Sequence, residues 1–383
     1  MINTASIRPA ACRRSLYRRV LVHRIFGRQL LLSLALAGLL PALAAGQDPT
    51  VRFGEVVPRD VREIYDRGLQ YLAGTQQENG GWGGEGLNNR AAGATVGATS
   101  LGLMVLLASG EDPNFGLYSN HVRRGLRNLI SAQGNAFGNE TGIIGSSMYE
   151  HGFATLTLAE AYGAVDDRNL WAGATGTTGK TRSIGQALEL AVRGAITSQK
   201  KNSVGGWRYS PDQTDADTSV SGAVMVGLLA ARNAGIEVPD AAIDRAVTYY
   251  TKMTSPSGQV GYSGGLGGMG QSTARTSIAT LIYAVARRKD LPEFKATLGN
   301  LVVQLEVENA GAWIEYTRYY QAQALFQGDI EAWQKWNKML VRQLKATQAA
   351  DGSFPSQLGT QIGTSLSLLA LAVNFRFLPI YER

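Results

Sequence analysis

Cysteine is almost missing from this sequence: Cys12 is the only one in 383 residues. That excludes an internal disulfide framework, a CxxC redox pair and a cysteine-built zinc site. Histidine is nearly as scarce, with only His23, His121 and His151, so neither a metal nor a cofactor is expected. Acidic residues are absent from the first 44 positions, which hold seven arginines (Arg8, Arg13, Arg14, Arg18, Arg19, Arg24, Arg28). The apolar run LLLSLALAGLLPALAAG follows, with Ala42-Leu43-Ala44 at its end. Basic, then apolar, then small residues make an export signal over 1–44, followed by a linker over 45–57. Pro41 breaks the run, which is short for a membrane span; an uncleaved anchor is the alternative. The formal charge of +7 matches those seven arginines, and 30 basic residues remain against 30 acids. A neutral body has no basic face for nucleic acid and none that would bind acidic lipid strongly. A periplasmic or extracellular location is expected, for a protein held together by its core alone.

What the chain does have is a repeat. RGLQYLAGTQQENGGW (67–82) pairs an amphipathic helix with Gln76, Gly80 and Trp82. Echoes of it appear in RGLRNLISAQGNAF with Gln133 and Phe137, SQKKNSVGGW with Gln199, Gly205 and Trp207, and RAVTYYTKMTSPSGQV with Thr254, Gly258 and Val260. Two more are QLEVENAGAW with Gln304, Gly311 and Trp313, and LKATQAADGSF with Gln348, Gly352 and Phe354. Six bulky anchors about fifty residues apart describe stacked supersecondary units. The helix before an anchor has one apolar stripe, as in Val61, Ile64, Tyr65, Leu69 and Leu72. The helix after it is apolar or small nearly all round, as in TSLGLMVLLASG (99–110), TSVSGAVMVGLLAARNAG (218–235) and GTSLSLLALAVN (363–374). A helix without a polar face is buried on most sides. Six wet and six dry helices therefore predict an all-α (α/α)6 toroid over 58–383, dry ring inside and wet ring outside; an open solenoid is the alternative. Each anchor glutamine has both donor and acceptor to tie its loop to the next helix start.

These anchors resemble the QW motif of the squalene-cyclase and prenyltransferase repeat superfamily, whose members form α/α toroids. The first copy matches fully and the others are degenerate. SMYEHGFATLTLAEAYG, GGWRYSP, YYQAQALFQGDIEAWQKWN and NFRFLPIYER are similar to exported bacterial squalene-cyclase-like proteins. The resemblance implies a cofactor-independent isoprenoid cyclase or mutase in which an aspartic acid of a D-x-D-D-T-A motif protonates the substrate. TDADTS stands in the matching context and supplies Asp215 and Asp217, but lacks one of the family's adjacent aspartates. The zinc of the superfamily's protein prenyltransferases has no ligand set here. Asp217 also reads as a helix N-cap.

All dry helices start at one mouth, which gathers Tyr149, Glu150 and His151; Asp215 and Asp217; Arg275; Glu315, Tyr316 and Arg318; and Thr360, Gln361 and Thr364. Asp215, Asp217, Glu150 and His151 are the candidate acid–base groups; Tyr149, Arg275, Tyr316, Arg318 and Gln361 are candidate binding residues. A satisfied polar rim, with Arg275 neutralising nearby acids, is the plainer reading. The glycine-rich GYSGGLGGMG (261–270) suggests a phosphate loop, but no strand pattern precedes it, and it reads as a long loop over the mouth. Three functions fit: an isoprenoid cyclase, a non-catalytic binding scaffold of the envelope, and a glycan-active enzyme using facing carboxylates. The ligand is accordingly an isoprenoid or a glycan.

Overall fold

A computed structural model describes residues 57–83, 95–138, 141–174, 181–266, 272–305, 313–376 and 378–381. All of them lie in one compact unit, Phe53–Arg383. The leader and nearly all of the linker fall outside the described residues, as does Gly311.

The helices alternate in character. Six carry one buried stripe: α1 (Arg59–Thr75), α3 (Ser119–Ala132), α5 (Ile184–Lys200), α7 (Asp240–Met253), α9 (Pro292–Val303) and α11 (Ile330–Thr347). In α1 the buried residues are Val61, Ile64, Tyr65, Gly68, Leu69 and Leu72, the three-and-four spacing of a half-wet helix. The other six are α2 (Val96–Leu107), α4 (Met148–Ala161), α6 (Thr218–Asn233), α8 (Thr273–Val285), α10 (Ile314–Gly328) and α12 (Thr360–Ala372). From Val220 to Ala231 every residue of α6 is buried. The dry helices pack in the order α2, α4, α6, α8, α10, α12, and α12 returns to α2. In the outer ring α11 packs on α1. The array is therefore closed, an (α/α)6 toroid. Helices α4 and α6 approach most intimately because Gly152 and Gly227 leave room: a Cβ on Gly152 would sit 2.5 Å from the Ala223 carbonyl carbon.

One joint recurs around the first rim. The Nε2 atoms of Gln76, Gln133, Gln199 and Gln348 each donate to a loop glycine carbonyl and to a carbonyl of the next outer helix. The loop glycines Gly80, Gly142, Gly205, Gly258 and Gly352 all have φ between 73° and 92° and abut that helix's backbone. A Cβ on Gly352 would lie 2.3 Å from the Arg67 carbonyl oxygen, so no other residue fits the seam between last and first repeats. Two residues beyond each glycine the anchor is buried. Trp82 and Trp207 donate from Nε1 to Leu72 O and Ala195 O of their own outer helices. The second copy differs from the sequence reading. Gln133 bonds to Gly142 O, so the anchor is the fully buried Ile144 and not the half-buried Phe137. The loop there is longer rather than shorter. In the fifth copy Trp313 is 51% exposed, and among the described residues Gln304 bonds to Asn300 and Thr273.

The second rim is strapped. After α12 the chain pairs Asn374 with Asn337 of α11 and sets Phe375 against Tyr65 of α1 in a tilted contact with centroids 4.8 Å apart. Arg376 lies 5.2 Å over the Phe326 ring of α10, and the 3₁₀ turn Pro379–Tyr381 packs on α6. Helix α6 stands opposite α12 in the ring, so the strap crosses the whole opening, burying Leu378 and Ile380. Among the described residues no helix is long and apolar enough to cross a membrane.

Candidate functional site

The first mouth is built by the starts of the dry helices, and four of them are capped alike. Thr95, Ser147, Asp217 and Ser272 each accept a backbone N–H of the first turn of α2, α4, α6 and α8. At Asp217 both bonds, from Ser219 N (2.9 Å) and Val220 N (2.8 Å), fall on Oδ1. The side chain is completely buried, and Oδ2 accepts no hydrogen bond. Burial pushes this carboxyl up from the ordinary aspartate range, against the two backbone donors and Arg208.

Arg208, immediately after the Trp207 anchor, organises the surroundings. Its Nη1 donates to Asp215 Oδ2 (2.7 Å) and Ser263 Oγ (2.9 Å), while Nε stands 3.8 Å from Asp217 Oδ2. The guanidinium lies over the Tyr209 and Tyr262 rings, whose hydroxyls meet at 2.9 Å. Asp215 is exposed, with more than half of its side chain in solvent. The described part of the glycine-rich loop lies over the start of α6, where Thr218 donates to Gly261 O and Tyr262 O; 267–270 lie outside the described residues. Tyr249 of α7 is buried, its hydroxyl has no hydrogen-bond partner, and burial together with the field of Asp217 pushes it above the ordinary tyrosine range.

Below the mouth, aromatic rings cross the barrel axis. Tyr149 and Phe153 of α4 stand 5.4 Å apart, and in α10 Tyr320 meets Tyr319 and Tyr316 edge-on at 4.8 and 4.9 Å between centroids. Helices α4 and α10 face each other across the ring. Their rings nevertheless meet: Tyr149 with Tyr316 and Phe153 with Tyr319, both at 6.2 Å. These pairs are in van der Waals range and fix the centre as an aromatic bridge.

The residues expected at the mouth separate into two groups. Asp217, Asp215, Tyr149 and Tyr316 come together there. Glu150 instead receives Ser146 N, Ser146 Oγ and Gly97 N, tying the loop before α4 to α2. His151 is fully buried and its Nδ1 accepts Ile144 N (3.2 Å). Thr99, Ser221 and Thr364 receive the N–H of Trp82, Trp207 and Phe354 in the same way, so His151 fills a recurring structural place. Burial lowers its pKa to about 4, keeping the ring neutral. Arg275 donates from Nε to Val260 O, Arg318 reaches outward to Gln343 of α11, and Glu315 accepts Ser356 Oγ. Thr360 and Gln361 open α12, where Gln361 Oε1 is buried without a hydrogen-bond partner. Arg208, Tyr249 and Tyr262 were not legible as site residues, although Arg208 directly follows a repeat anchor.

No protein-family model matches the chain, and no curated protein does. Solved structures do resemble it. A protein from Actinoplanes aligns over 82% of this chain and 99% of its own, with a TM-score of 0.51 and 14% identity. A type II terpene cyclase from Scytonema aligns over 82% of this chain and 96% of its own, with a TM-score of 0.31 and 14% identity. The first of these likenesses shows a shared fold.

Proposed function

We propose that the chain is an exported, squalene-cyclase-like toroid that binds a ligand at its first mouth without transforming it, a binding module of the cell envelope. The observation that carries this reading is the aromatic bridge. Rings from α4 and α10 occupy the axis where an isoprenoid undergoing cyclisation has to lie. Capping supports it too, since Asp217 uses Oδ1 as its serine and threonine counterparts use their hydroxyls.

A second reading, an isoprenoid cyclase or mutase with Asp217 as proton donor, draws on one feature. The burial that raises the Asp217 pKa favours the protonated acid that such chemistry requires. Its partner in a glycan-active site would be Asp215, but Arg208 holds that carboxylate in an exposed ion pair.

The two main readings separate on a pair of variants. In a binding module, Asp217→Asn keeps the cap and leaves stability within about 0.5 kcal/mol, while Asp217→Ala loses about 1 kcal/mol. Wild-type protein incubated with squalene or geranylgeraniol returns both unchanged by gas chromatography–mass spectrometry. A cyclic product made by wild type and not by Asp217→Asn would replace this reading with the cyclase.

A further inference from the structure

Beyond its leader the chain is neutral in total, but the signs are not mixed evenly over the outer wall. Helix α1 alternates them: Arg59, Asp60, Arg62, Glu63, Asp66 and Arg67 follow one another, and Arg59 meets Glu63 one turn on at 2.6 Å. Helix α11 does not alternate. Lys335, Lys338, Arg342 and Lys345 are all exposed, and the helix has one acid, Glu331 in its first turn. Steps of three, four and three residues put the four cations within about 80° of one another, in a row about 15 Å long. Trp333, Trp336, Leu340 and Leu344 bury the opposite face and hold the row outward. Each cation stands one turn from the next, where a like charge repels and an acid would attract. A helix shaped for solubility alone gains nothing from that arrangement.

The row is also unengaged by the fold. In α3, the other strongly basic outer helix, Arg123 donates to Asn120, Arg124 to Gln77 O, and Arg127 to Leu170 O and Ala172 O. In α11 only Lys345 has an acid, Asp60 at 2.6 Å. Among the described residues Lys335, Lys338 and Arg342 enter no ion pair. The chemistry of the row narrows the partner. Three of its four cations are lysine, which protein interfaces deplete, and none of the exposed large apolar side chains belongs to α11, so the buried anchor of a protein interface is missing. A row on a convex wall touches a plane along its length, and a fluid layer of acidic headgroups supplies a phosphate to each cation without a fixed shape. We infer that the exposed face of α11 docks the toroid side-on to an acidic phospholipid surface, with Lys335, Lys338, Arg342 and Lys345 over the headgroups. The attraction is electrostatic throughout, because the apolar face of α11 is committed to the core. It does not depend on what the first mouth binds.

The test sediments the mature chain, without the leader's arginines, with vesicles of phosphatidylcholine alone and of phosphatidylcholine carrying about a third phosphatidylglycerol. The acidic vesicles should carry it down at about 50 mM salt and release it at about 500 mM, and the neutral ones should leave it in solution. Lys335→Gln, Lys338→Gln and Arg342→Gln together should weaken binding about tenfold or more with an unchanged urea midpoint. Lys200→Gln, Lys252→Gln and Lys295→Gln remove the same charge from exposed positions on α5, α7 and α9. They should change binding by less than about twofold. If the α11 triple variant does not fold, Lys338→Gln alone decides, with a loss of about threefold or more. Equal sedimentation with both vesicle types, none with the acidic ones, binding that the α11 variant keeps, or a loss shared by the two triple variants overturns the inference. Capture by heparin or duplex DNA with the acidic vesicles ignored overturns it too, and would make the row a site for a linear polyanion.

Discussion

The two ends of the barrel are finished in different ways. At the second rim the chain's own C-terminal segment lies across the opening, with Phe375, Leu378 and Ile380 buried and Arg376 over Phe326. At the first rim the repeat joints close the backbone, and several polar atoms, among them Asp217 Oδ2, Tyr249 Oη and Gln361 Oε1, stay buried without a hydrogen bond. One end is sealed by apolar burial, which is stabilising and non-directional. The other keeps polar groups whose burial opposes folding. The strapped rim adds apolar burial to the fold, while the first rim carries polar groups whose burial opposes it.

That contrast predicts a graded set of effects. Truncation after Asn374 should be the most damaging, because it returns three buried side chains to water. About 5 kcal/mol should be lost, with an early urea transition and new binding of an apolar dye; a loss below about 1 kcal/mol would mean the strap is not part of the core. Next comes pH. His151 titrates near its ordinary value of 6.5 when unfolded and at about 4 when folded. The unfolded chain therefore binds the proton first, and stability is full above pH 6.5 and falls as pH drops towards 4. The loss approaches about 3 kcal/mol. The raised pKa of Asp217 works in the opposite sense, favouring proton uptake by the folded state. His151→Thr, copying Thr99 and Thr364, should flatten the slope measured by urea unfolding at several pH values; an unchanged slope would assign it to other groups.

Gly352→Ala is expected to cost about 2 kcal/mol or more, since a side chain at φ 90° meets the Arg67 carbonyl at the ring's seam. A melting temperature equal to wild type would show the seam to be open. The smallest effect belongs to the mouth. Tyr249→Phe removes a hydroxyl with no hydrogen-bond partner and should shift stability by no more than about 0.5 kcal/mol. A larger loss would reveal a structural bond there.

The toroid was readable because its signal is repeated and one-dimensional. Stripes in α1 and α11 and their absence in α2, α6 and α12 follow directly from which faces meet water. The glutamine ties were readable for the same reason, because a side chain with both a donor and an acceptor recurs at a helix end. The second anchor was misread because Phe137 is bulky and sits at a plausible distance, whereas the geometry follows Gly142 and its left-handed φ. Glu150, His151 and Arg318 show the limit of reading a mouth from helix starts. Each is near the rim in sequence, but helical rotation turns it to Ser146, to Ile144 N or to Gln343. Arg208 and Tyr249 come from a loop and an outer helix, so only the tertiary fold brings them to Asp217. The strap was not read from the sequence, where NFRFLPIYER entered only through the resemblance, because its path across the rim depends on α6 standing opposite α12.

The account stands or falls on the barrel axis being bridged by Phe153 and Tyr319 from facing helices, their centroids 6.2 Å apart. A double-mutant cycle of Phe153→Leu and Tyr319→Leu in urea measures that contact directly. Coupling of about 0.5 to 1.5 kcal/mol is the predicted result. Strictly additive losses would mean that the rings do not meet and that the centre is open to a substrate.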